Sequence, residues 1–233
     1  MMLKTSRWPS LLVVVLLFTA CASFEPGMRM QSLNGPRQPS ARASQEGFEV
    51  SVEEFISYEK SQTMFDTDLA GSRVIGILVR GENNGAEKFS LRRADIRATL
   101  GGQPLAQLPP KEAASQAANS EYVGKALGWT LATGPFAIIL WPITIGASAV
   151  HTHSVNERIE AYFQGTGFQD SLVSPKQMAF GFVYFKLENK LERIENLVID
   201  LDAAGDPSGK KLSYKLAVPA VKVGKPDKRT DTN

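Results

Sequence analysis

Cysteine occurs once in the 233 residues and histidine twice. A single cysteine excludes an internal disulfide framework. Two histidines, His151 and His153, leave little material for a metal centre or for histidine-based catalysis. Charge of one sign is equally scarce, with 26 Lys and Arg against 24 Asp and Glu. Residues 1–20 hold Lys4 and Arg7 and no acid, so the remainder balances at 24 of each sign. No long-range field draws such a chain to nucleic acid. A Gly-x-Ser-x-Gly elbow and a phosphate loop are both missing, which removes the commonest signatures of a hydrolase or a nucleotide-binding enzyme. With 43% hydrophobic and 21% charged residues, the composition excludes collagen, a coiled coil and wholesale disorder. The length is enough to bury the core of one or two domains.

What is present begins at the N-terminus. Lys4 and Arg7 precede an uncharged apolar run from Leu11 to Phe18, the layout of a secretory signal peptide over residues 1–20. Eight apolar residues are too few for a stable span, which takes about 20. The chain's one cysteine stands where processing would occur. Phe18-Thr19-Ala20-Cys21 resembles the lipobox of bacterial lipoproteins, which usually have Leu where this sequence has Phe18. The resemblance implies that Cys21 is the lipid attachment site and the mature N-terminus. It further implies a protein anchored in the bacterial cell envelope and facing the periplasm. Ala22, rather than Asp, in the second mature position implies the outer membrane. Ala20-Cys21-Ala22 also meets the small-x-small rule of ordinary secretion, which stays open. Residues 21–47 then read as the lipidated cysteine and a flexible tether, because three prolines, three glycines and few large apolar residues over 24–47 cannot support a core.

From Phe48 the pattern has period two. Phe48, Val50 and Val52 alternate with Glu49, Ser51 and Glu53, as in a half-buried strand. Further strand runs follow at residues 73–80, 89–91, 96–100, 179–185, 197–201 and 211–218, separated by turn signals such as Asn83-Asn84-Gly85 and Gly101-Gly102. Short strands with frequent turns predict a mainly β protein, an antiparallel β-sandwich over residues 48–223, with a polar tail at 224–233. The stretch from Val74 to Gly85, with Gly181-Phe182-Val183-Tyr184-Phe185, resembles the Ig-like accessory domains of bacterial envelope proteins. That resemblance implies an Ig-like sandwich.

Between the two sets of strands, residues 111–165 read as an inserted apolar α-helical hairpin. Lys111 to Leu127 is alanine-rich, and Val155, Ile159, Tyr162 and Phe163 recur at helical spacing. Residues 126–150 carry no charge, which is long enough for a transmembrane helix. A single crossing would separate two halves of one sandwich, however. Gly134-Pro135 and Trp141-Pro142 break the run into arms of about 10 to 15 residues, roughly 15–22 Å each. Gly124, Gly128 and Ala132 recur every four positions and permit close helix approach. The expected contact residues are Trp129, Phe136, Ile138, Ile139, Leu140, Trp141 and Ile143. They await cover from a membrane, from a protein partner or second copy, or from the protein's own sandwich; a true span is the remaining alternative.

Other motifs are thin. His153 and Glu157 are four apart on a helix, a weak pair for a metal, and read better as polar caps. Asp200-x-Asp202 with Gly205-Asp206 lacks a ligand where Ala204 stands, so it reads as a hairpin turn rather than a calcium loop. Asp66-Thr67-Asp68 reads as turn chemistry and Gly165-Thr166-Gly167 as a helix stop. No catalytic residue, metal or cofactor is expected. The leading function is a structural or interaction module of the envelope, contacting a membrane or protein partner and not nucleic acid. The alternative is a periplasmic binding module for a small molecule or glycan, which an aromatic-lined pocket would favour. Convergent acids in a cleft would favour an enzyme.

Overall fold

The computed structural model describes residues 38–118 and 156–224, and each strand run read above is paired in it. The first hairpin is one that composition conceals. Ala41–Gln45, inside the expected tether, forms strand β1 and pairs antiparallel with β2 (Phe48–Glu54). Glu46 and Gly47 between them have φ of 52° and 80°. Positive φ at both central residues gives the two-residue turn whose twist matches its strands. The tether reading of 21–47 is therefore corrected at its C-terminal end. The reason is physical: Ala41 and Ala43 rest against the core but are too small to announce a strand.

Two sheets follow. Sheet I contains β1, β2, β3 (Val74–Asn83), β8 (Met178–Lys186) and β6 (Gln107–Leu108), in that spatial order. Sheet II runs from β11 (Lys211–Val218) through β10 (Leu197–Asp206) and β4 (Lys88–Leu100) to β5 (Gln103–Pro104). β7 (Ser171–Val173) also pairs with β4, and β9 (Arg193–Ile194) pairs with β12 (Val221–Lys222). All strand pairs are antiparallel. β3 pairs with β8 from Val74–Lys186 to Glu82–Met178, and β4 pairs with β10 from Leu100–Leu197 to Lys88–Asp206. Strands from either side of residues 119–155 thus lie side by side in both sheets.

The sheets face each other across one core, in a sandwich arrangement. Phe48, Val50 and Val52 from β2, with Ile75, Ile77 and Val79 from β3, meet Leu91, Ile96, Ile199, Leu201 and Leu216 from sheet II. Phe48 lies 4.8 Å from Phe89 between ring centroids, and the Tyr214 hydroxyl donates to the Phe48 carbonyl at 2.9 Å. Burial pushes the Tyr214 phenol up to about 12.

Sheet I has a second apolar face. Val74 and Leu78 of β3 and Phe182 and Tyr184 of β8 point away from the sandwich into a separate core. Among the described residues, three helices cover it. α1 (Tyr58–Phe65) starts at Ser57, whose hydroxyl accepts from the Lys60 amide, and ends at Asp66 in the left-handed region. α2 (residues 110–118) and α3 (residues 156–166) are the described parts of the insertion. Among the described residues, no helix is long and apolar enough to cross a membrane.

Because Phe48 is fully buried in the inter-sheet core, Phe48→Ala should lower stability by about 3–5 kcal/mol. Urea unfolding of the purified domain checks this, and a loss under 1 kcal/mol would contradict the placement.

Candidate functional site

The expected contact residues Trp129, Phe136, Ile138, Ile139, Leu140, Trp141 and Ile143, and the lipid site Cys21, lie outside the described residues. What the structure places is the two ends of the insertion, residues 110–118 and 156–166. α2 lays Ala113, Ala114, Ala117 and Ala118 on sheet I. These are the positions of one helical face, and their methyl groups let the backbone approach closely. α3 applies Ile159, Phe163 and Thr166, again one face. Ile159 and Phe163 thus take the buried positions that their spacing predicts, Tyr162 is half-buried beside them, and Val155 lies outside the described residues.

Aromatic rings form the floor beneath the helices. Phe65 of α1 stands 5.0 Å from Phe163 and 4.9 Å from Phe182, and Phe163 stacks on Tyr184 at 5.1 Å. The polar tips are satisfied inside this cluster. The Tyr162 hydroxyl donates to the Met64 carbonyl at 2.8 Å, and the Thr166 and Tyr184 hydroxyls lie 3.4 Å apart. Burial raises both phenols above the ordinary tyrosine range. Lys111 and Glu160 pair at 3.1 Å between α2 and α3. Pro110 adjoins Gly167 as well, so the start of α2 lies against α3 and the residue that follows it.

Beyond α3 the chain crosses β8 closely. The Phe168 amide donates to the Phe182 carbonyl at 2.8 Å, and a Cβ on Gly181 would stand 2.5 Å from Phe168 Cα. Gly165-Thr166-Gly167 is the helix stop that its composition predicts, with α3 ending at Thr166.

A cavity of about 680 Å³ opens beside α2. It is lined by residues 71–73, by Glu112, Ser115 and Gln116, and by residues 188–190 after β8. Gln116 Nε2 donates to the Arg73 carbonyl at 3.4 Å. No aromatic side chain lines it, and two acids face two cations, Arg73 and Lys190. Ligand sites are mostly apolar with a few placed polar groups, and this groove has the reverse make-up. Neither it nor α1 emerges from the sequence reading. For α1 a signal existed, in Ser57 as a cap with Ser61, Met64 and Phe65 on one helical face.

Asp200 and Asp202 belong to β10, on the outer face of sheet II. Asp202 accepts from Arg97 at 2.8 Å and from Ser213 at 2.7 Å, with Lys211 at 3.1 Å. Burial alone would raise its carboxyl, but those three partners outweigh it and hold the group down to about 2. The carboxylate is occupied by cations of its own chain, which explains the motif without calcium. Asp66 caps α1, and Asp68 accepts from the Gly71 amide at 2.9 Å, the turn chemistry expected of residues 66–68.

Two outcomes follow from these contacts. Gly181→Ala forces backbone against backbone and should cost about 1–3 kcal/mol, measured by thermal unfolding; an unchanged melting temperature would refute the tight crossing. Asp202→Asn should lower stability by about 1 kcal/mol at pH 7. A carboxyl held below its ordinary value near 3.9 stabilises above that pH and loses the effect as pH falls toward 2. The gap between wild type and variant should close over that window in urea titrations, and a gap independent of pH would refute the network.

No family model and no curated protein sequence matches the chain. Among solved structures, one that matches is the crystal structure of "a putative lipoprotein (ycdA)" from Bacillus subtilis subsp. subtilis str. 168. It shares 11% identity and a TM-score of 0.36, over 78% of this chain and 39% of that chain. The chain thus spans about two fifths of that protein's length. A likeness this slight carries no argument about fold or function.

Proposed function

We propose that the protein is a non-catalytic lipoprotein of the bacterial cell envelope, held to the outer membrane through Cys21 and facing the periplasm. Its domain is an Ig-like sandwich, and its insertion makes the contact with a membrane or an envelope partner. The strand order supports the fold reading. β2-β3-β8-β6 against β11-β10-β4 corresponds to the ABED and GFC sheets of that architecture, which puts the insertion between strands D and E.

One observation carries the functional reading. The 25 uncharged residues 126–150 lie in sequence between two helices that both pack on sheet I and pair through Lys111 and Glu160. Strands before and after that segment pair in both sheets, which keeps its two ends on one side of any bilayer and supports contact over a single crossing. Covering its Phe136, Ile138, Ile139, Leu140 and Trp141 saves about 25 cal/mol for each Å² of apolar surface, a sufficient drive for contact.

Cys21→Ala should leave the protein soluble or unprocessed, read by membrane fractionation. An unmodified N-terminus at Ser23, found by mass spectrometry of the native protein, would end the anchor reading. Replacing Ile139 and Leu140 together with Asp should leave the melting temperature unchanged while association is lost. A strong drop in melting temperature would show that the segment is core of its own domain. Unchanged stability with unchanged association would overturn the contact role.

A further inference from the structure

We infer that the groove beside α2 is a binding site for a short polar peptide with a free ammonium and a free carboxylate. Its volume of about 680 Å³ lies within the usual span of ligand sites, roughly 300–1,000 Å³. The walls are the turn at residues 71–73, one face of α2, and residues 188–190 after β8. Glu112, Ser115 and Gln116 stand three and four apart, so they share a helical face, next to the alanines that pack on sheet I. One carbonyl ties the walls together. That of Arg73 accepts from the Leu187 amide at 2.9 Å and from Gln116 Nε2 at 3.4 Å. Arg73 itself has a φ of 60°, a left-handed backbone that persists only where the surroundings over-determine it. The turn is also bonded internally, with the Arg73 amide on the Ala70 carbonyl and the Gly71 amide on the Asp68 carboxylate. A site built in advance in this way loses little freedom when a ligand enters.

The charges of the groove specify the ligand. Arg73, Lys190, Glu112 and Glu188 line it, and among the described residues none of these four side chains has an ion pair or a hydrogen bond. Elsewhere Lys60, Arg97, Lys111 and Lys210 each reach an acid of their own chain. Two unspent charges of each sign suit a molecule that carries both signs and disfavour a polyanion. No aromatic or aliphatic side chain lines the space, which leaves a sugar ring nothing to stack on and an apolar tail no slot. Gln116 and Asn189 add side-chain amides, which donate and accept as a peptide bond requires. Opposite charges joined by amides describe a short peptide with free ends. A phosphoethanolamine headgroup also carries both charges, but it has no amide for Gln116 and Asn189 to meet. The site uses neither the Cys21 lipid nor residues 126–150, so it goes beyond the contact role.

Saturation-transfer NMR on the full chain in detergent micelles, with trialanine as the probe, tests this. Saturable binding is expected. Acetylating the peptide's N-terminus or amidating its C-terminus should each weaken binding, and blocking both should weaken it most. Arg73→Asn with Lys190→Gln should weaken binding of trialanine, by up to about fivefold for each exposed charge pair lost. The same pair of changes should leave binding of the C-terminal amide unaltered; asparagine tolerates the left-handed backbone at position 73. Glu112→Gln with Glu188→Gln should weaken binding of trialanine but not of its N-acetyl form. All four positions are exposed, so the variants should keep the wild-type melting temperature, and the blocked peptides test the wild-type protein independently of them. Absence of saturable binding, or equal binding of the doubly blocked peptide, would overturn the site. Sensitivity to blocked ends that neither variant alters would place the peptide elsewhere and overturn it too. Tighter binding of glycerophosphoethanolamine than of trialanine would overturn the peptide and assign the groove to a lipid headgroup.

Discussion

Sheet I has two apolar faces, and both must be kept from water. That requirement organises the molecule. β3 and β8 place Ile75, Ile77, Val79, Val183 and Phe185 on one side and Val74, Leu78, Phe182 and Tyr184 on the other. Sheet II closes the first side. Among the described residues no third sheet covers the second side; helices close it, and two of the three described there come from the insertion. An antiparallel sandwich ordinarily leaves its outer faces wet. Here only sheet II does so, and its outer face carries the Asp202 network.

The difference between the sheets is written in the strand patterns. β11 alternates strictly between exposed and buried residues, whereas β3 is buried at its first six positions. A continuous apolar run such as Val74–Val79 signals burial on both faces, and so implies a layer that strand counting alone does not supply. β2, β4, β8, β10 and β11 were legible for the ordinary reason that large apolar residues recur in them. β1 was not, since alanines pack against the core without raising local hydrophobicity. α1 was masked by its mixed composition, where Lys60, Gln62 and Thr63 dilute the Met64 and Phe65 that anchor it.

Polar residues in this fold close turns and neutralise charge. Asn83, fully buried, donates to the carbonyls of Glu87 and Val173 and accepts from the Gly85 amide. Its backbone pairs with Lys176 and Gln177. One side chain thereby joins the β3–β4 turn to the β7–β8 turn, which is why Asn83-Asn84-Gly85 reads so clearly as a turn. Glu54 is used in the same way, accepting from the Ile56 amide and from Lys60. Such groups are already committed to their own chain. The candidate contact residues were legible only as composition, because cover for an apolar segment is a property of its surroundings rather than of its sequence.

The described parts of the insertion therefore carry a structural duty. Residues 110–118 and 156–166 are structural, since without them Leu78, Phe182 and Tyr184 would meet water. Burying side chains of that size is worth about 1.5–3 kcal/mol each, a large share of the stability of a domain this small. A domain that invests two helices in sealing one sheet gains a rigid base for whatever joins them. Rigidity at the base matters for contact, since a segment held at both ends loses less freedom on binding than a loose one. The same helices that complete the core thus fix on sheet I the two points, residues 118 and 156, between which the rest of the insertion runs.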